Sequence, residues 1–421
     1  MKKVLVINTS DTTGGAAIAA NRIMQIFEHD ADIDAKMLVM TKSSNDKNII
    51  SAPCKLWIKK FCFVWERVVI WISNGFNKKN LFNVSIANTG TDITKFGIFQ
   101  DADIIHLHWI NQGFLSTDTI GKILKSGKRV IWTMHDMWSF TGICHHAEDC
   151  EKYHEKCYRC PQLVRPSYND LSAKCFEEKR KKYEQGKIIF VGCSEWIATQ
   201  ARKSRLTIGH DIVAIPNPID LNIYQPKDKL AIRQRLNLPL NKKLILFCSR
   251  RTTDVRKGME YLIDACKLLE ANHSESKQQM AVVILGGDSE EFANLIPLPA
   301  YSMGYVGDER MMANIYNAVD VFVTPSLCEN LPNTIMEAMA CGTPCVGFDI
   351  GGVPEMIDHM KNGYVAKYKS AQDFADGIWW VINDITDLSN ISSLSVNARQ
   401  KVVEYYSPEQ IAKKYKELYF S

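Results

Sequence analysis

Strand-like and helix-like patterns alternate along almost the whole chain, and they fall into two series. Short apolar runs at 4–8, 35–40, 103–107, 129–132, 188–192 and 212–215 form the first. Runs at 244–248, 281–285, 302–306, 321–324 and 344–348 form the second. Strands that are apolar throughout must be covered on both faces. Helices lying between them supply that cover, so the pattern predicts parallel sheets in an α/β protein. The two series meet at Asn217-Pro-Ile-Asp220 through Pro226, a turn-rich stretch that precedes a polar segment at 227–243. The predicted organisation is two Rossmann-like, doubly wound domains, 1–218 and 219–400. An amphipathic helix within 401–421 follows, and a cysteine-rich insertion occupies 141–165 of the first domain.

At 421 residues the chain is long enough for two or three domains. Its 46% hydrophobic and 23% charged residues suit a globular protein. A formal net charge of +4 argues against nucleic acid as a partner while permitting anionic phosphates or lipid surfaces. The chain opens on the strand Val4-Leu-Val-Ile7 without a secretory apolar region. No apolar run approaches the roughly 20 residues that span a bilayer. A cytoplasmic location is therefore expected, with the thirteen cysteines reduced or bound to metal.

The segment Pro325-Ser-Leu-Cys-Glu-Asn-Leu-Pro-Asn-Thr-Ile-Met-Glu-Ala-Met-Ala-Cys-Gly-Thr-Pro-Cys-Val346 carries two acids, Glu329 and Glu337, separated by seven residues. The apolar run before Pro325 reads as a buried strand. The pattern after Pro332 reads as a helix capped by Asn333 and stopped by Gly342-Thr-Pro344. Glu329 then sits on a strand-to-helix loop and Glu337 about two turns into the helix. Such loops lie at the carboxyl edge of an open parallel sheet, where ligands bind. With Gly351-Gly-Val-Pro-Glu355 downstream, the stretch closely resembles the donor-binding signature of retaining, family 4-like glycosyltransferases of the GT-B fold, of the kind that builds bacterial polysaccharides. The resemblance is strongest from Arg250 to Glu355. It implies two Rossmann-like domains facing a cleft, and sugar transfer from a nucleotide diphosphate sugar to a glycan or lipid-linked acceptor.

The same resemblance assigns roles. Glu329 would hold the hydroxyls of the transferred sugar and Glu337 the nucleotide ribose. Gly304, Tyr305 and Val306 would line the base, and Asn330, Leu331 and Asn333 would lie beside the sugar and phosphates. Arg250, Arg251, Lys257 and Gly258 follow the first strand of the second series, where a fork and a point charge can meet a pyrophosphate. The family pattern of Arg, a short loop and Lys-Gly fits Arg251 and Lys257, with Arg250 as a substitute. Gly14 and Gly15 match a glycine pair that faces the donor diphosphate and acceptor; on the residues alone they also fit a plain tight turn. His135, at the end of the 129–132 run, would orient the donor sugar. Asp136 is left as an acceptor base or a helix cap. The implied chemistry is front-face displacement with retention, and no cofactor or catalytic metal is expected. A nucleotide-sugar epimerase of the same fold and a zinc-stapled binding protein are the alternatives.

Two segments stand outside that assignment. Cys144, Cys150, Cys157 and Cys160 fall within 17 residues, and Cys157-x-x-Cys160 is a half-site for tetrahedral Zn²⁺. The residues leave open a structural Zn²⁺ or a set of reduced, partly buried thiols. Residues 55–79 hold three of the nine tryptophans, and Lys59, Lys60, Glu66 and Arg67 interrupt their apolar runs. This segment is either a core helix or an interfacial one, with its aromatics inserted and its cations turned to lipid phosphates. In the second case it would bring the protein to the inner face of an anionic membrane.

Overall fold

The computed structural model describes residues 1–384 and 393–421; residues 385–392, inside the expected second domain, lie outside the described residues. The chain divides into two compact units, Met1–Asn217 with Ala412–Ser421, and Pro218–Ile411.

Unit 1 contains seven strands: β1 (Lys2–Ser10), β2 (Ile33–Thr41), β3 (Ile49–Ser51), β4 (Ile104–Leu107), β5 (Arg129–Met134), β6 (Ile189–Gly192) and β7 (Asp211–Ala214). They form one parallel sheet in the order β3-β2-β1-β4-β5-β6-β7. Strand β3 is absent from the sequence-based set because three residues with one buried side chain give no pattern to detect. Ile7, Leu38, Leu107, Trp132 and Phe190 are buried together in the core. Helix α1 (Gly15–Gln25) buries Ala17, Ala19, Ala20 and Ile23, small enough to bring it close to the sheet.

Helix α2 (Leu56–Ser73) turns the charged pair Glu66 and Arg67 inward and leaves Lys60 exposed. It buries Cys62, Glu66, Arg67 and Ile70. Glu66 Oε1 accepts from the backbone N–H of Ile86 at 2.7 Å and of Ala87 at 2.9 Å. Its other oxygen pairs with Arg67 at 2.7 Å, and Arg67 donates to the carbonyls of Leu81 at 2.5 Å and Val84 at 2.9 Å. Leaving either charge buried without its partner would cost several kcal/mol, so this set fixes the rotation of the helix. Leu56, Trp57, Phe61, Val64 and Trp65 are exposed as a result. The expectation that Lys59 and Arg67 face outward is corrected. Lys59 Nζ donates to the carbonyl of Met40 at 2.5 Å and to Ser51 Oγ at 3.1 Å.

The cysteine-rich segment packs onto the same unit. Cys144, Cys150, Cys157 and Cys160 all line one cavity of about 10 Å³. All four are free thiols, and Cys157 Sγ accepts from Gly142 N–H at 3.3 Å. Burial pushes the Cys144 thiol up to about 11 and that of Cys160 to about 12. Among the described residues no three His, Cys, Asp or Glu side chains form a group that could hold a metal ion. Below this segment lies Lys179, fully buried, whose Nζ donates to the carbonyls of Trp138 at 2.6 Å and Thr141 at 3.0 Å. Burial draws the Lys179 pKa down to about 7.

Unit 2 contains β8 (Lys243–Arg251), β9 (Met280–Gly287), β10 (Ala300–Ser302), β11 (Val321–Thr324), β12 (Cys345–Phe348) and β13 (Gly363–Ala366). The sheet is again parallel, in the order β10-β9-β8-β11-β12-β13. The expected strand at 302–306 lies earlier, at Ala300–Ser302, because Gly304 has a positive φ of 64° that ends extended backbone. Strand β13 is missed because Gly-Tyr-Val-Ala carries only a weak strand signal.

The polar segment after the join is ordered by one acid. Asp320, fully buried before β11, pairs with Lys229 at 2.7 Å and Arg233 at 2.5 Å. It also accepts from Leu244 N–H at 2.7 Å, at the start of β8. Burial alone would raise its pKa, but the two cations outweigh it and hold the carboxyl below the usual range. Replacing Asp320 with Asn leaves Arg233 buried without its counter-charge. Unit 2 should lose about 3–5 kcal/mol, read as earlier urea unfolding and faster amide exchange along β8 and β11. Unchanged exchange there would show that the pair is dispensable.

Candidate active site

Each sheet reverses its strand order at one point. In an open parallel sheet the loops diverge at that point and leave a crevice outside the carboxyl ends, where ligands bind. In unit 2 the reversal falls between β8 and β11; Arg250 and Arg251 end β8, and the loops that leave these strands carry Lys257 and Glu329.

Those loops are knit together by close backbone approach. Gly258 has φ +70°, and a Cβ there would stand 1.8 Å from the Pro325 carbonyl oxygen. Gly351 has φ +60°, and its Cβ would stand 1.8 Å from the Glu329 carbonyl oxygen. Only glycine fits either position. Leu327 N–H donates to Arg256 O at 2.8 Å, and Gly352 N–H to Asn330 O at 2.7 Å. Thus the loops after β8, β11 and β12 share one backbone network around Glu329.

Lys257 Nζ then meets Glu329 Oε1 at 2.5 Å. Burial pushes the Lys257 pKa down, yet the Glu329 carboxylate outweighs it and holds the ammonium above its ordinary value. Arg250 and Arg251 are exposed at the end of β8, and Arg251 is in register with Gly287 of β9. Asp254 grips Arg256 with both oxygens, at 3.0 and 2.8 Å, so Arg256 is engaged locally.

The remaining expected residues fall at or near the same edge. Asn330 and Leu331 are buried, and Asn333 is the first residue of the helix Asn333–Ala340. The cap itself is Pro332, without a side-chain bond, which corrects the expected Asn333 cap. Glu337 is the fifth residue of that helix rather than two turns in; it is 6% exposed and accepts from Tyr316 OH at 3.2 Å. Gly304, Tyr305 and Val306 follow β10, where the Gly304 carbonyl accepts from Gly286 N–H at 2.8 Å and Tyr305 is exposed.

In unit 1 the reversal falls between β1 and β4. Gly14 caps α1 with φ +92° and open space where a Cβ would stand, and Gly15 begins the helix. The preceding loop is held by Asp11, whose carboxylate accepts from Ser43 and Ser44 N–H at 3.0 and 2.8 Å. Thr9 hydroxyl donates to the carbonyls of Trp109 at 2.9 Å and Asn111 at 3.1 Å. Trp109 N–H returns a bond to Asn8 Oδ1 at 2.8 Å.

His135 follows β5 and shares a hydrogen bond of 2.9 Å between its Nε2 and His108 Nδ1. His106, two residues before His108, bonds Thr133 and Tyr419 hydroxyls, both at 2.8 Å. His108 Nε2 and Asn111 Nδ2 are buried without a hydrogen-bond partner among the described residues. The sequence reading missed His106, His108 and Asn111. Their signal was His-Leu-His-Trp-Ile-Asn at the end of a strand, with both histidines on one face of the pleat. Asp136 is engaged by three donors. Its oxygens accept from Trp109 Nε1 at 2.8 Å, Trp138 N–H at 2.9 Å and His145 Nδ1 at 2.7 Å. Burial would raise its pKa, but His145 outweighs it and holds the carboxyl below the ordinary range.

Comparison with known proteins agrees with this geometry. Two structures align along essentially the whole chain. Sucrose-phosphate synthase of Thermosynechococcus elongatus is 17% identical with a TM-score of 0.67, over 100% of this chain and 98% of that one. HepE of Anabaena, solved with UDP and glucose, is 15% identical with a TM-score of 0.63, over 99% of each chain. Two parallel α/β sheets with this topology define the GT-B fold. Residues 242–384 match the family Glycosyl transferases group 1. Among curated relatives, N-acetyl-alpha-D-glucosaminyl L-malate synthase of Bacillus anthracis is 24% identical over 220 residues, covering 50% of this chain and 54% of that protein. The chain thus spans about half the length of the curated relatives it matches.

The buried histidines give unit 1 an acid sensitivity. Burial lowers the His135 pKa to about 4, against the opposing pull of Asp136, and lowers that of His106 to about 3. Unfolded histidine takes up its proton near pH 6.5, so between there and pH 4 the unfolded chain binds more protons. Stability present at neutral pH is lost as pH falls through that window. For His135 alone the loss from pH 7 to pH 5 is about 2 kcal/mol. Urea unfolding of unit 1 followed against pH should show this slope, and His135→Gln should flatten it. A flat wild-type profile would place the imidazoles in water.

Proposed function

We propose that this chain transfers a sugar from a nucleotide diphosphate sugar to a glycan or lipid-linked acceptor, with retention of anomeric configuration. The observation that carries the reading is the Lys257–Glu329 pair, fixed by three interlocked loops at the strand-order reversal of unit 2. In this reading Arg251 and Lys257 neutralise the diphosphate as the sugar–oxygen bond breaks. Groups held in place beforehand stabilise developing charge without reorganising at the moment of reaction. Glu329 holds the hydroxyls of the transferred sugar, and Glu337 receives the ribose. The leaving phosphate takes the acceptor proton on the same face. His135, kept neutral at physiological pH by burial, can offer the donor sugar a hydrogen bond without carrying charge. The solved HepE complex with UDP and glucose supports the choice of donor class, and the match of residues 242–384 to group 1 supports the reaction type. The polysaccharide context rests on the sequence resemblance.

A panel of nucleotide sugars read by mass spectrometry tests the reaction. Glu329→Gln should lower kcat/KM on the order of 10²–10³-fold in a folded protein, the loss expected for one preorganised polar contact. Arg251→Ala and Lys257→Ala should each weaken UDP or GDP binding about 10- to 100-fold by calorimetry, as expected for a lost charge-assisted hydrogen bond. Wild-type kcat/KM in Glu329→Gln would remove this residue from the site. Unchanged affinity in both cation variants would move the phosphate site elsewhere.

A further inference from the structure

Helix α2 carries an apolar stripe that nothing in its own unit covers. Trp57, Phe61, Val64, Trp65 and Ile72 recur at i, i+4 and i+7 or i+8 spacing, and their exposures run from 46% to 65%. At 1.5 Å per residue the stripe is about 22 Å long. Isolated exposed apolar residues are ordinary, whereas a continuous aromatic row on one helix face marks a contact surface. This face is not the accidental back of a helix that could turn over. The Glu66–Arg67 pair and its four backbone bonds hold the charged side inward.

The rim of the stripe identifies what it meets. Lys55, Lys60, Lys78 and Lys79 are exposed around it. Glu66 is the only acid in residues 55–82, and it is buried. Within this segment the surface is therefore aromatic at its centre, and its exposed charges are all cationic. A second copy of the chain, docking the same face on itself, would set lysines against lysines. An anionic bilayer suits both parts, since rings enter the headgroup region while ammonium groups meet phosphates. No described helix is long and apolar enough to cross a membrane, in keeping with a helix lying in the interface plane.

We infer that the outer face of α2 docks this protein onto anionic lipid bilayers. Each lysine near such a surface is attracted to it, and salt screens that attraction. The proposal concerns unit 1 alone and does not need sugar transfer to be correct. It is tested by cosedimentation with phosphatidylcholine vesicles, with and without phosphatidylglycerol, in the absence of donor and acceptor. Wild-type protein should bind the mixed vesicles, and high salt should weaken that binding. Trp57→Ser/Phe61→Ser/Trp65→Ser and, separately, Lys55→Ser/Lys60→Ser/Lys78→Ser/Lys79→Ser should each lower the partition coefficient roughly tenfold or more. All seven side chains are exposed, so thermal unfolding should be unchanged; if the aromatic variant unfolds, the lysine variant decides. Wild-type protein that ignores phosphatidylglycerol vesicles, or a folded variant that binds as well as wild type, overturns the proposal. So does a dimer in light scattering that the aromatic substitutions dissociate, which would make the face a contact between copies.

Discussion

Two carbonyl oxygens occupy the space where side chains would otherwise begin. Those of Pro325 and Glu329 stand 1.8 Å from where a Cβ would lie on Gly258 and Gly351. Because these positions are glycine, the loops leaving β8, β11 and β12 come into backbone contact. Backbone contact brings Lys257 within reach of Glu329. Each glycine also holds a positive φ that other residues adopt at a cost of about 1 kcal/mol or more. The ion pair is thus the outcome of a steric allowance made by residues that carry no functional group.

The parallel sheets extend this logic to the unit as a whole. Every strand points the same way, so every loop at one edge lies on the functional side. Asp320 joins the two strands that flank the reversal, since it precedes β11 and accepts from the first turn of β8. A charge buried far from the chemistry thereby fixes the strands that carry it.

Much of this was legible in the sequence, for physical reasons that differ by element. Long strands buried on both faces, such as β1 and β8, announce themselves as apolar runs. Three-residue β3 and the weakly patterned β13 do not, because pairing with neighbours decides them. Glu329 and Lys257 were readable because both sit on loops after strong strands. The histidine pair was only half readable. His135 was found from its place after β5, while His108 looked like one more strand residue, its role set by a neighbour 27 positions away. The rotation of α2 was not legible at all. A helical pattern gives the stripe, but only the amides of Ile86 and Ala87 reveal which side faces inward.

The last helix, Pro408–Phe420, has a consequence for how the chain is made. Its Tyr415 and Tyr419 are buried in unit 1, where they bond Thr133 at 3.1 Å and His106 at 2.8 Å. Residues of β4 and β5 therefore wait for partners that are translated about three hundred positions later. Unit 2 is built from residues 218–411 alone. On the ribosome, where N-terminal domains ordinarily mature first, unit 1 cannot complete these hydrogen bonds until the chain's last helix is made. The second unit can finish while the first still holds an open polar seam, sealed only when the final turn of helix emerges.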